Sequence, residues 1–230
     1  MPPLKSFGYM PKAKVIFITA TDTGVGKTVV TLCLGTLLKA RGMDVGIMKP
    51  VQCAGHDAQF LKKALSISDD IKWINPFYAP EPLSPHLAFR RAGIRFDQRR
   101  VKRCLKELQA RHDIVLVEGA GGLMVPLRDH YYTADLIADL KAEVIIVARG
   151  GLGTINHTLL TIDQARARGL SIKGTVFCQT RPGPIGLPEK TNPKTIEGLS
   201  GVNTLGSIPY IKPLNRKNIL RLCQDLAANF

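Results

Sequence analysis

Six short apolar runs punctuate the chain: "VIFIT" at 15–19, "VGIMK" at 45–49, "IVLVE" at 114–118, "EVIIVA" at 143–148, "IKGTVFC" at 172–178 and "VNTLGSIP" at 202–209. They are rich in Val and Ile and show little polar alternation, the pattern of strands buried on both faces. Between them, apolar positions recur at helical spacing over 27–41, about Asp57 to Leu65, 97–111, "TADLIADL" at 133–140 and "INHTLLTIDQARARG" at 155–169. A short helical piece near 194–199 and a last helix near 214–228 complete the series, and a Pro-rich connection spans 76–86. This alternation predicts an α/β fold: one doubly wound, mostly parallel sheet with helices on both faces. A single domain is expected over 13–230, preceded by a twelve-residue extension, 1–12, free to be flexible.

In such a sheet ligands collect beyond the carboxyl ends of the strands, so the residues that follow each strand belong together. After the first comes "ATDTGVGKT" at 20–28, then "KPVQ" with Lys49, "VEGAGGLMVP" with Glu118, and "ARGGLGTINH" at 148–157. Gly24 and Gly26 let the backbone turn its N–H groups toward one point, and "GKT" is the ending of a P-loop, in which lysine reaches the outer phosphates and threonine binds magnesium. The standard spacing would need glycine at 21, where this chain has Thr21. Strand, glycine turn, lysine and helix nevertheless follow in the required order. Glu118, at a strand end on the same edge as Thr28, is placed to organise Mg2+, which takes few protein ligands beside phosphate oxygens. Asp57 suits either a second metal carboxylate or a helix cap. The glycines at 150, 151 and 153 open a helix whose first N–H groups are available to a carboxylate or phosphate. His56, His86 and His157 are isolated in sequence and receive no proton-transfer role.

Charge sharpens this picture only slightly. The formal net charge of +14 suits an anionic ligand, and nine Lys and Arg crowd residues 89–112. Val101, Leu105 and Leu108 form an apolar stripe on that basic helix, and no aromatic residue interleaves its charges, so a solvated face is expected rather than a nucleic-acid patch. No apolar run approaches a membrane span, and the start of the chain lacks a secretory core, so a cytoplasmic protein is expected. Five cysteines without a C-x-x-C pair suggest neither zinc nor a disulfide framework.

Taken together, "ATDTGVGKT", "KPVQ", "EPLSPHLA", "VEGAGGLMVPL" and "ARGGLGTINHTLLT" resemble the dethiobiotin synthetase family of P-loop NTPases in order and spacing, from about residue 14 to 210. The resemblance implies a cyclo-ligase that joins 7,8-diaminononanoate and CO2 with ATP and Mg2+, through a carbamate and a carbamic-phosphoric anhydride. By motif position it implies Lys27, Lys49 and Thr23 as catalytic residues and Thr28, Asp57 and Glu118 as metal ligands. It further implies a nucleotide site built from Asp22, Thr23, Gly24, Val25, Gly26, Lys27, Thr28, Val29, Glu118, Gly119, Cys178, Gln179 and Pro209. Substrate would meet Thr23, Lys49, Cys53 and the helix start Gly151, Leu152, Gly153, Thr154, Ile155 and Asn156, the last group supplied by the neighbouring chain of a homodimer. Two positions depart from the family pattern: Cys53 stands where serine is common, and Cys178 where an asparagine commonly reads adenine. The partitioning ATPases, switches on DNA or membrane, share the loop but carry a signature lysine where this chain has Asp22.

Overall fold

The computed structural model describes residues 13–210 and, beyond them, Lys212, Leu214, Asn218, Ile219 and Leu226. The extension 1–12 and most of the helix expected near 214–228 lie outside the described residues. Among the described residues eighteen elements follow one another. The first half holds β1 (Lys14–Ala20), α1 (Lys27–Ala40), β2 (Val45–Met48), β3 (Val51–Cys53), α2 (Asp57–Ala64), α3 (Ile71–Ile74), β4 (Phe77–Ala79), α4 (Pro85–Arg91) and α5 (Gln98–Gln109). The second holds β5 (Ile114–Glu118), β6 (Pro126–Arg128), β7 (Tyr131–Tyr132), α6 (Thr133–Leu140), β8 (Glu143–Arg149), α7 (Thr154–Ala167), β9 (Ile172–Cys178), α8 (Leu187–Ser200) and β10 (Thr204–Ile208).

Six strands form one sheet in the order β10-β9-β8-β1-β5-β2, and every pairing in it is parallel. Successive side chains of β1 serve opposite layers, as strand geometry requires. Ile16, Ile18 and Ala20 pack with Val30, Leu34 and Leu38 of α1 and Leu61 of α2. Val15 and Phe17 pack into the other layer, with Leu105 of α5, Ile137 of α6, Ile162 of α7 and Ile196 of α8. Each fully buried aliphatic side chain contributes about 1.5–3 kcal/mol, so the continuous apolar strands, rather than the loops, fix this three-layer arrangement. The chain leaves β1 toward β2 and leaves β5 toward β8, on opposite sides. The crevice between the carboxyl ends of β1 and β5 is therefore the topological switch point, the expected place for a ligand.

The expected strands and the helices α1, α2, α5, α6 and α7 form within a few residues of their expected bounds. The Pro-rich connection at 76–86 is more ordered than its composition suggests. Residues 77–79 form β4, which pairs in parallel with β3, and Pro85 opens α4, where its missing N–H costs nothing. The helical piece expected near 194–199 begins earlier, at Leu187. Pro188 lies in its first turn and the Glu189 carboxylate accepts the Gly186 N–H, so the segment that reads as a loop is a capped helix with Pro193 inside it. The basic helix α5 buries Val101, Leu105 and Leu108 as expected, and much of its charge has partners: Lys102 pairs with Asp139 at 2.8 Å and the Arg100 guanidinium lies over Phe77.

Candidate active site

The loop between β1 and α1 is shaped to leave donors free. Asp97 and Asp70 each place a carboxylate oxygen on a backbone N–H at the start of α5 and α3. Helix α1 has no such cap: Gly26 occupies the capping position at φ 109°, no side chain bonds the first turn, and no acidic residue lies in it. The first N–H groups of α1 thus point, without a side-chain partner, into the crevice at the switch point. Only glycine fits at 26, because a Cβ there would lie 2.8 Å from the Cys178 sulfur as well as in strained backbone.

Four ionisable side chains and one hydroxyl meet at this crevice. Glu118, wholly buried at the end of β5, accepts the Thr28 hydroxyl at 2.9 Å and the Lys49 ammonium at 2.5 Å, both on Oε1. Its Oε2 is buried and has no hydrogen-bond partner. Lys49 also reaches Asp57 Oδ2 at 3.0 Å. Burial opposes the charge on Lys49, but the carboxylates of Glu118 and Asp57 outweigh it and raise its pKa above the ordinary lysine value. Lys27 is the contrasting case. Among the described residues its ammonium donates to the Asp22 carbonyl alone, at 3.1 Å. Burial first, and the neighbouring Lys49 charge second, bring its pKa down to about 8. A cation held so weakly by its own protein is poised for an external anion.

These groups line a cavity of about 670 Å3. It brings together Thr23, Gly24, Gly26, Lys27, Thr28, Val29, Lys49, Cys53, Asp57 and Glu118 from the expected set. Val25 is buried in the layer beneath the loop. Asp22 stands behind it, accepting the Thr23 N–H at 2.7 Å and facing Arg149 at 3.7 Å. Gly119 continues β5, its N–H bonded to the Ile18 carbonyl. Cys178 is buried against Gly26, and burial pushes its thiol up to about 12. The Gln179 amide is occupied by the Gly183 carbonyl at 2.8 Å and the Tyr210 N–H at 3.4 Å, and Pro209 follows β10 nearby. A larger recess of about 790 Å3, between α4, α5 and the β6–β7 hairpin, contains none of these strand-end groups.

Residues 151–156 do not line the cavity of their own chain. Gly153 caps α7 at φ 88° without a side-chain bond, and Leu152 beside it is 90% exposed. The turn is nonetheless rigidly backed. The Asn192 amide of α8 donates to the carbonyls of Gly150 and Gly151 at 2.9 and 3.2 Å, and the Gly150 N–H bonds Cys178 O.

Residue-type reasoning missed two further parts of the site. Gln52 is buried and bridges the Gly55 carbonyl and the Ala58 N–H, which fixes the start of α2 and with it Asp57. The second part is the wall Pro82–Pro85 with Ser84, set by β4 and α4. The motif "EPLSPHLA" was its only signal. For Mg2+ the donor chemistry fits. One hydroxyl and two carboxylates share an edge, Oε2 of Glu118 lacks a partner, and a lysine ammonium now supplies the positive charge between the carboxylates. Among the described residues no cluster of three or more His, Cys, Asp or Glu side chains forms a metal cage.

Comparison with known proteins extends these observations. Residues 14–218 match the family described as an AAA domain. The chain is 39% identical over 219 residues to the ATP-dependent dethiobiotin synthetase of Thermodesulfovibrio yellowstonii, covering 88% of this chain and 91% of that one. It is 35% identical over 217 residues to the enzyme of the same name from Nitrosopumilus maritimus, covering 91% and 94%. Among solved structures, the MinD cell division protein of Aquifex aeolicus superposes with a TM-score of 0.60 over 94% of this chain and 96% of its own. At 16% identity it shares the fold alone.

Proposed function

This chain belongs to the dethiobiotin synthetase family, and from that premise we propose that the cavity at the β1–β5 crevice is where it closes the ureido ring of dethiobiotin. The enzyme is an ATP-dependent ligase of biotin biosynthesis, joining 7,8-diaminononanoate and CO2. The observation that carries the site assignment is the meeting of Lys27, Thr28, Lys49, Asp57 and Glu118 below the uncapped start of α1.

The reaction asks for positioning and charge neutralisation more than for acid–base groups. One amine of the substrate captures CO2 as a carbamate with loss of a proton, a carbamate oxygen attacks the γ-phosphoryl group and expels ADP, and the second amine, losing its proton, displaces phosphate as the ring closes. The free N–H groups of α1, with Gly24 and Gly26, cradle the phosphates, and Lys27 neutralises the outer ones. Thr23 and Lys49 face the carbamate and the phosphoryl group in flight. Thr28, Asp57 and Glu118 hold Mg2+, whose contribution when bound is to offset phosphate charge. Because Cys178 is buried and Gln179 is occupied, base contacts fall to the backbone and Pro209.

The partner chain of a homodimer completes the site. Met124 and Leu160 are exposed beside a recess that shares Thr23 and Val125 with the catalytic cavity, and Leu152 projects from the same carboxyl edge of the sheet. The α7 start of one protomer, Gly151–Asn156, then receives the substrate carboxylate of the other. We place the enzyme in the cytoplasm; among the described residues no helix is long and apolar enough to cross a membrane.

The test is the dependence of ADP release on its co-substrates. ADP release should require the diamine, bicarbonate and Mg2+ together, and Glu118→Ala should lower it at least about 100-fold. ADP release independent of the diamine but stimulated by DNA would instead favour a partitioning-type switch.

A further inference from the structure

The place where a divalent cation belongs is held by a side chain. Lys49 puts its ammonium 2.5 Å from Glu118 Oε1 and 3.0 Å from Asp57 Oδ2, so one tethered charge bridges both carboxylates assigned to the metal. Thr28, the third metal ligand, donates its hydroxyl to the same Glu118 oxygen. All three groups are thereby satisfied without a metal, except for Glu118 Oε2, which stays buried and unpartnered.

Two cations cannot share this space. Like charges a few ångströms apart repel, most strongly on the buried side of the pair, where Glu118 is wholly buried and Lys49 nearly so while Asp57 is about half exposed. The Lys49 backbone is fixed, since its N–H bonds the Ile74 carbonyl and its carbonyl accepts the Asn75 amide, each at 2.7 Å. Only its side chain is free to yield, and the cavity lies open beside it.

We infer that Lys49 is an internal stand-in for the metal: it keeps the Glu118–Asp57 pair closed to free divalent cations and gives way only when the cation arrives with a triphosphate. This inference rests on the metal assignment proposed above. Its logic is an exchange of one counter-ion for another. A free divalent ion must displace a buried ion pair and leave an ammonium without a partner. A metal–nucleotide complex brings phosphate oxygens, and the released ammonium can pair with them or with the carbamate. Lys49 thus couples metal entry to nucleotide entry, and its release delivers a positive charge to the reacting groups in the same step.

The exchange predicts that removing a catalytic lysine tightens metal binding. Mn2+ binding without nucleotide, followed by electron paramagnetic resonance on wild type, Lys49→Met and Lys49→Arg, reads this directly. Lys49→Met should bind Mn2+ at least about tenfold more tightly than wild type, Lys49→Arg should stay near wild type, and adding Glu118→Gln to Lys49→Met should abolish the gain. Equal or weaker binding by Lys49→Met overturns the inference, whatever the ligase assay shows. A second measurement needs no variant. The side-chain 15N resonance of Lys49 in the wild-type protein should be visible and protected in the free state and shift on adding Mg2+ with a non-hydrolysable ATP analogue, but not with Mg2+ alone. A resonance that shifts equally with Mg2+ alone overturns it too.

Discussion

Lys27, at the start of α1, and Lys49, just after β2, enter one cavity, yet their surroundings give them opposite properties. Lys49 is clamped between carboxylates, whereas among the described residues the Lys27 ammonium meets a single backbone carbonyl. Replacing Lys27 by Ala therefore removes the cation most available to phosphate, and turnover should fall about 10²–10³-fold, as for loss of one transition-state donor; nucleotide titration and steady-state rates check this. The thiols make a second prediction at this scale. Burial holds Cys53 at about 11 and Cys178 at about 12, so both stay protonated below pH 10, and only the thiolate reacts. Iodoacetamide at pH 8 should leave both unmodified in the folded protein, as peptide mass mapping would show, with labelling at Cys53 rising only as the pH nears 11. Most of these groups were legible in the sequence, because lysine, threonine and glutamate each follow an apolar run. Gln52 was not, since its role depends on hydrogen bonds to Gly55 and Ala58 that no spacing rule encodes.

At the scale of elements, α1, α2, α4 and α7 all start without a side-chain cap, and among them α1 and α7 are the two with a left-handed glycine, Gly26 or Gly153, at the capping position beyond a sheet strand. Their stability comes from packing onto the sheet instead, which leaves their first turns free for anions. Gly26→Ala should cost about 1–3 kcal/mol, the range for strained backbone, and weaken nucleotide binding. Thermal unfolding and nucleotide titration on the same variant check both effects. The strands could be read from the sequence because burial on both faces writes a continuous apolar run. The first half of α8 and strand β4 could not, since Pro188, Pro193 and the prolines around 76–85 read locally as breakers. Tertiary context overrides that reading: Asn192 ties α8 to the 150–151 turn, and β4 pairs with β3 to build the pocket wall.

For the molecule as a whole, the strand order matters most, because it brings the ends of β1 and β5 together and sets 151–156 apart from the cavity. The proposed homodimer follows from that separation. Leu160→Glu should shift the protein toward monomer in light scattering and lower turnover at low protein concentration. No spacing rule marks this surface; Leu160 fits a helical pattern as well as any core residue, and only the fold leaves it 61% exposed. In the proposed reaction this cavity joins CO2 to a diamine at the expense of a triphosphate. Incubation of the purified protein with 7,8-diaminononanoate, 13C-bicarbonate, Mg2+ and ATP, followed by mass spectrometry, tests it most directly. The expected product is dethiobiotin carrying one 13C in its ureido carbonyl, with one ADP formed per ring closed. Binding of ATP with no labelled dethiobiotin would contradict it.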